Sequence, residues 1–157
     1  MWIIAIIAII ASLTGYASIT SQIALASVAD AARVRSFAAN MASYRAGVVN
    51  FANANSAYAG EVAVPVFPAG YAALTPPQWS NAVLTDGTVA VYSIGISPPG
   101  LIKGIAVLAQ GSVLAGRANT LTGRIEAPGA TSADQVPLPA LPAGITNGAA
   151  IWLAHRD

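Results

Sequence analysis

Residues 1–29 read MWIIAIIAIIASLTGYASITSQIALASVA, and none of them carries a charged side chain. The first charge along the chain is that of Asp30. About 20 mostly apolar residues are what an α-helix needs to cross the hydrocarbon core of a bilayer. The sequence therefore predicts a transmembrane anchor over residues 1–25, continued by a helix over residues 26–55. The large apolar residues that define the anchor are Trp2, Ile3, Ile6, Ile7, Ile10 and Leu13.

A cleaved signal peptide is the alternative interpretation of the same segment. Its cleavage site would follow small residues of the A-x-A kind, such as Ala24–Ala26 or Ser27–Ala29. A signal peptide normally opens with a positively charged region, whereas only the α-amino group precedes Trp2 here. Apolar residues also continue as far as Leu25. These features favour a retained helix over a cleaved one.

A second apolar pattern follows the first charges. Large apolar residues recur at spacings of 3, 4, 3, 4 and 3, which is the a/d pattern of an amphipathic helix. The members of this stripe are Val34, Phe37, Met41, Tyr44, Val48 and Phe51. We expect the stripe to lie on the sheet of the same chain. A coiled coil with another subunit, and hence a homo-oligomer, is the alternative.

The charge content of the chain is low for a protein of 157 residues. Charged residues make up 8% of the sequence, against about 25% in ordinary soluble domains, and the mean hydropathy is +0.63. We therefore expect the part beyond the anchor to contact partner proteins. The net charge of +1 offers no basic surface for nucleic acid. Since there is no cysteine, disulfides and Cys-based metal sites are excluded.

Residues 56–157 predict a small antiparallel β domain. Asp86-Gly87 is a type I′ turn signal between strands at 83–84 and 89–94. A short helix is expected near residues 100–109, after Pro98-Pro99. The remaining predictions are irregular chain over 59–79, strands at 113–116, 121–125 and 149–154, and an extended loop over 127–148. The fold class is α+β: a long N-terminal helix, membrane-inserted at its front, then an antiparallel sheet with one short helix.

The sequence contains no recognisable catalytic or ligand-binding motif. The single histidine, His155, lies near a chain end, where a buried and oriented imidazole is unexpected. The six carboxylates are scattered, with no cluster at metal-ligand spacing. We therefore expect a protein without catalytic residues, cofactor or metal.

Several short motifs together resemble the PilM family of type IVb (thin) pilus systems, which are encoded with the pili of conjugative plasmids. The motifs are Asn40–Arg45, Val49–Ala52, Trp79–Asn81, Val91-Tyr92, Pro99–Leu101 and Leu141–Gly144. The resemblance implies an inner-membrane protein with a periplasmic domain, in the basal body or pilin transport apparatus. Its partners would be the lipid bilayer and other pilus assembly proteins or pilin subunits.

Two further considerations leave alternatives open. Arg33, Arg35 and Arg45 follow the anchor, and the positive-inside tendency would place them in the cytoplasm. We follow the resemblance and expect the periplasm. The chain is also pilin-like in form, yet Ala5 stands where pilins usually carry glutamate and no basic leader precedes it. An assembly component is therefore favoured over a pilin-like minor filament subunit, and a secreted binding module released by cleavage is the third hypothesis.

Overall fold

Helix α1 extends from Trp2 to Ala54 and is followed by a six-stranded sheet and one short helix. The computed structural model describes residues 2–63, 67–68, 71–141 and 144–157, and side chains from residue 25 onward. The chain divides into two compact units, Met1–Arg33 and Val34–Asp157. The first unit belongs to α1. The second contains the rest of α1, the sheet and helix α2, so the α+β architecture expected from the sequence is confirmed.

Helix α1 ends within the polar run Asn53-Ala54-Asn55-Ser56. The Asn55 side chain donates a hydrogen bond to the carbonyl oxygen of Phe51 at 2.8 Å. The backbone N–H of Asn55 turns back to the carbonyl of Ala52. The helix ends at Ala54, and these two bonds satisfy carbonyls of its last turn that would otherwise be unpaired.

The sheet is antiparallel throughout, with strand order β1-β2-β6-β3-β4-β5. Strand β6 lies between β2 and β3, so the last strand in chain order joins the two hairpins. The bounds are β1 Trp79–Val83, β2 Thr88–Ser93, β3 Ala115–Asn119, β4 Arg124–Glu126, β5 Val136–Pro137 and β6 Ala150–His155. Helix α2, Leu101–Leu108, connects β2 to β3.

The predicted hairpin at Asp86-Gly87 is present, but its loop is longer than a type I′ turn. Leu84 and Thr88 close the ladder, and Gly87 N–H donates to the Leu84 carbonyl across a three-residue loop. Gly87 has φ of +88°, as the left-handed position of such loops requires. The Asp86 carboxylate accepts from the N–H of Thr88 at 2.8 Å, and this bond holds the turn closed.

The third and fourth strands begin later than the sequence predicted. Strands were expected at 113–116 and 121–125, whereas β3 begins at Ala115 and β4 at Arg124. The Asn119 carboxamide oxygen accepts from the N–H groups of Leu121 and Thr122 at 3.0 and 3.1 Å. These bonds hold the chain in a turn where the apolar pattern had suggested a strand.

Apolar side chains cover both faces of the sheet. One face packs on α1 and α2, through buried residues that include Met41, Val48, Leu101 and Ile105. The opposite face is covered by the segment expected as an extended loop over 127–148. That segment contributes Val136, Leu138, Leu141 and Ile145, and it contains the short strand β5. Burial on both faces explains why β2 and β6 are apolar without alternation.

Candidate functional site

The apolar stripe of α1 lies against the sheet of its own chain. Met41 and Val48 are fully buried in the core on this face. Phe37, Tyr44 and Phe51 are partly buried against the same core. Val34 faces α2, where a Cβ added at Gly104 would lie 3.1 Å from Val34 Cγ1. Stripe residues thus contribute to the core of their own chain, and α2 approaches α1 closely at a glycine.

The predicted anchor residues lie in the part of α1 whose side chains are outside the described residues. They are Trp2, Ile3, Ile6, Ile7, Ile10 and Leu13. Among the residues whose side chains the structure describes, from residue 25 onward, no helix combines the length and the apolar character needed to cross a bilayer. Where the described side chains begin, Leu25 and Val28 are 69% and 66% exposed.

The most constrained polar group of the domain is Asn81, a buried carboxamide in the middle of β1. Its oxygen accepts from the N–H of Val62 at 2.9 Å. Its nitrogen donates to the carbonyl of Val62 at 3.1 Å and to the hydroxyl of Tyr44 at 2.7 Å. One side chain therefore fastens the segment after α1 to both the sheet and the helix.

Glu61 is held in place by its neighbours on both sides. Gly60 exchanges two backbone hydrogen bonds with Val83 of β1, at 2.8 Å each, and Val62 is bound by Asn81. The Tyr58 hydroxyl also donates to the carbonyl oxygen of Glu61. The exposed carboxylate of Glu61 consequently projects from a backbone that is fixed on the edge of the sheet.

Three aromatic rings gather beside this carboxylate. Phe67 and Tyr71 stack with centroids 4.0 Å apart and planes at 17°. Tyr44 is tilted against both rings, at 5.6 Å from Phe67 and 6.2 Å from Tyr71. The rings line a cavity of about 370 Å³ whose other walls include Glu61, Trp79 and Ile94.

A second cavity, of about 570 Å³, adjoins the first and shares Glu61, Ser80 and Ile94 with it. Ser80 Oγ lies 3.3 Å from Glu61 Oε1 and 3.3 Å from the Tyr92 hydroxyl. The single hydroxyl proton of Ser80 serves one of these acceptors at a time. We call the two joined cavities the β1 groove, defined by Tyr44, Glu61, Phe67, Tyr71, Ser80 and Ile94.

The electrostatics of the β1 groove are those of an apolar surface beside a negative charge. Burial raises the pKa of the Tyr44 hydroxyl, the Asn81 hydrogen bond partly opposes this rise, and the negative charge of Glu61 adds to it. Burial and the nearby Tyr44 also raise the pKa of Tyr71. Both hydroxyls are therefore neutral at physiological pH, and among the described residues that line the two cavities Glu61 is the one that is charged.

The loop that contains Phe67 and Tyr71 is itself hydrogen-bonded to α1. The indole N–H of Trp79 donates to the Asn40 side-chain oxygen at 2.8 Å. The Asn40 nitrogen donates to the carbonyl of Ala72 at 2.7 Å. Trp79 itself is buried and begins β1.

Sequence reasoning singled out Tyr44 only as a member of the helix-packing stripe, and it assigned no role to Glu61, Phe67 or Tyr71. A signal for the network was present in β1. With period-two alternation, Asn81 shares a face with Trp79 and Val83 and is the one polar residue on it. A polar side chain on a buried face needs hydrogen-bond partners from another segment.

The other candidates for chemistry remain apart. His155 is exposed at the end of β6, beside the Gly87 turn. Among the described residues, no group of three or more His, Asp or Glu side chains is arranged to hold a metal ion. The Glu126 carboxylate on β4 pairs with Arg117 and accepts from Asn119 at 2.6 Å, on a different part of the sheet from the groove.

The comparison with known families is informative, although no characterised protein and no solved structure matches the chain significantly. The PilM family matches residues 7–153, which is most of the chain, and includes the stripe, all six strands up to Leu153 and helix α2. The resemblance noted in the short sequence motifs is therefore confirmed. The chain belongs to the PilM family, whose function lies in the biogenesis of type IV pili.

Proposed function

We propose that this chain is a structural component of the type IV pilus assembly machinery, anchored in the inner membrane with its domain in the periplasm. The supporting observation is the continuity of α1. The helix that begins at Trp2 ends at Ala54, so the uncharged residues 2–29 and the stripe that packs on the sheet belong to one element. A domain attached in this way to an apolar segment is suited to work at a membrane surface.

The proposed role is to bind other pilus assembly proteins or pilin subunits, with no catalytic step and no cofactor. The low charge content supports this role, because all thirteen charged side chains follow residue 29 and still leave the domain sparsely charged. Surfaces depleted in charge are typical of protein contacts. The β1 groove, with its aromatic rings and the exposed side chain of Ile94, is the surface that we assign to a partner.

The test combines membrane extraction with a genetic assay. The native chain should remain with the membranes after an alkaline carbonate wash and be released by detergent. External protease should digest its domain in spheroplasts. Cells that lack the gene should lose their pili and regain them on expression of the chain. Release by carbonate, or normal piliation without the gene, contradicts the proposal.

A pair of matched variants tests the anchor directly. Replacing Ile6 and Ile7 by Asp puts two charges in the apolar segment, at about 2.5–3.5 kcal/mol each if they lie at the bilayer centre. The doubly substituted chain should leave the membrane fraction, whereas the Ile6→Val, Ile7→Val chain should stay. Membrane retention of both chains would contradict the anchor.

The same fractions distinguish the two alternatives. Recovery of the chain in stoichiometric amounts from sheared surface filaments would identify a pilin-like filament subunit. An intact mass that matches a chain beginning at Ser27 or Asp30 would identify a secreted module instead. Either result would replace the proposed role in assembly.

A further inference from the structure

We propose that the β1 groove binds an arginine side chain that a partner protein presents on an extended segment. This inference rests on the proposed function, because it gives the chemistry of the partner at the same surface. The juxtaposition behind it is a cluster of three aromatic rings next to a fixed carboxylate, at the junction of two open cavities.

The negative charge of Glu61 in the groove favours binding of a cation from outside the chain. Glu61 alone is charged among the described residues that line the two cavities. The structure describes all seven Lys and Arg residues, and none of them lines either cavity. Arg45 and Arg156 donate to backbone carbonyls elsewhere, and Arg117 pairs with Glu126. No ion pair between Glu61 and another described residue is present, so its carboxylate is available to a partner.

The aromatic rings favour a planar cation. A guanidinium packs on the faces of aromatic rings and donates two parallel hydrogen bonds to a carboxylate. Phe67 and Tyr71 form a stacked pair in one wall of the first cavity, and Tyr44 closes it at an angle. Since both tyrosine hydroxyls are neutral, the carboxylate of Glu61 supplies the negative charge of the site.

The position of Glu61 is set before a ligand arrives. Its backbone is held by Gly60 on Val83 and by Val62 on Asn81, so the carboxylate starts from a defined place. Holding a binding group in place in the free protein lowers the entropy that binding must overcome.

An extended segment fits the groove better than an isolated cation. The two cavities meet at Ser80 and Ile94, which lets a chain cross from one to the other. Ile94 is 55% exposed at this junction. An apolar residue next to the arginine would cover Ile94, and the hydroxyls of Ser80 and Tyr92 offer polar contacts along the second cavity.

The test measures binding of a designed probe to the full chain in detergent micelles by titration calorimetry at low salt. The probe is acetyl-Gly-Leu-Arg-Leu-Gly-amide, and its matched control carries citrulline, which has nearly the same shape without the charge. We expect the citrulline peptide to bind about tenfold more weakly, which corresponds to about 1.4 kcal/mol. Equal binding of the two peptides would overturn the proposal.

Variants locate the site. Glu61→Gln should lower the affinity for the arginine peptide about tenfold and leave the affinity for the citrulline peptide unchanged. Glu126→Gln, which removes a carboxylate elsewhere on the sheet, should change neither. Tyr71→Ala should weaken the arginine peptide as well, and its circular dichroism spectrum shows whether the variant is folded. Unchanged binding by Glu61→Gln would contradict the proposed site.

Two further outcomes separate this inference from related ideas. If acetyl-arginine amide binds as tightly as the peptide, the groove recognises a small cation and the extended segment is wrong. The peptide assay uses purified protein, so it can fail while the piliation and membrane assays succeed. Failure of the inference is therefore distinguishable from failure of the proposed function.

Discussion

Replacing Asn81 by Ala should destabilise the domain more than any other single change of a polar side chain in β1. The carboxamide of Asn81 is 1% exposed, and it satisfies both backbone groups of Val62, which is itself 3% exposed. In the alanine variant the N–H and C=O of Val62 lose their partners. Leaving a buried polar group unpaired costs about 1–3 kcal/mol.

The expected cost follows from these bonds. Two unpaired backbone groups would cost about 2–6 kcal/mol, and water that enters the vacated space offsets part of this. The Tyr44 hydroxyl is only half-buried and can bond to water instead. We therefore expect a loss of about 2–4 kcal/mol in the free energy of unfolding. For a chain of this length that corresponds to a fall in melting temperature of about 4–16 °C.

The assay is thermal unfolding of the full chain in detergent, followed by tryptophan fluorescence, together with hydrogen exchange at the Val62 amide. Asn50→Ala is the matched control, because Asn50 is exposed on α1 and should change the stability by less than about 0.5 kcal/mol. Tyr44→Phe removes one of the three hydrogen bonds of Asn81, and its melting temperature should lie between those of Asn81→Ala and Asn50→Ala. A melting temperature of Asn81→Ala equal to that of the control, with Val62 still protected from exchange, would refute the reasoning.

Three other changes have defined outcomes. Gly116→Ala should lower the free energy of unfolding in a urea titration by about 1–3 kcal/mol, because the added Cβ would collide with the backbone carbonyl of Glu126. A urea midpoint equal to that of the wild type would contradict this close approach. Met41→Ala should cost about 2–5 kcal/mol in the same titration, since the side chain is fully buried, and a loss below 1 kcal/mol would contradict the packing of the stripe. The hydrogen bond from Asn119 is the largest cause that lowers the pKa of Glu126, and the hydrogen bond and charge of Arg117 lower it further. The ionised carboxylate therefore stabilises the fold at pH values above its ordinary pKa of about 4.3. This stabilisation is lost as the pH falls through the lowered pKa of the folded state. The stability difference between wild type and Glu126→Gln should therefore shrink as the pH falls below about 4, and a difference that stays constant from neutral to acidic pH would argue against the ionised pair.

The helical part of the fold was predictable because its burial is one-sided. A stripe at spacings of 3 and 4 has one simple explanation, and residues such as Met41 and Val48 lie where it places them. The strands were harder, because both faces of β2 and β6 are buried and leave no alternation to read. The central position of β6 depends on pairing with β2 residues that lie 59 to 67 positions earlier in the chain, so it has no local signal.

The β1 groove was largely hidden from the sequence for a related reason. Glu61, Phe67 and Tyr71 belong to a stretch rich in proline and glycine that predicts only irregular chain. Its path is set by hydrogen bonds from Asn40 and Asn81, which lie in other elements. The side chain of Tyr44 was visible in the stripe, whereas its partners in the cavity became visible only with the fold.

The position of β6 has a consequence for how the protein is made. Strands β1 and β2 cannot reach β3 and β4 until residues 150–155 have been synthesised and lie between them. Folding of the complete sheet therefore waits until residues 150–155 are available to pair with both β2 and β3. A product that stops before Ala150 would present two separate hairpins with unpaired edges, which proteases can digest.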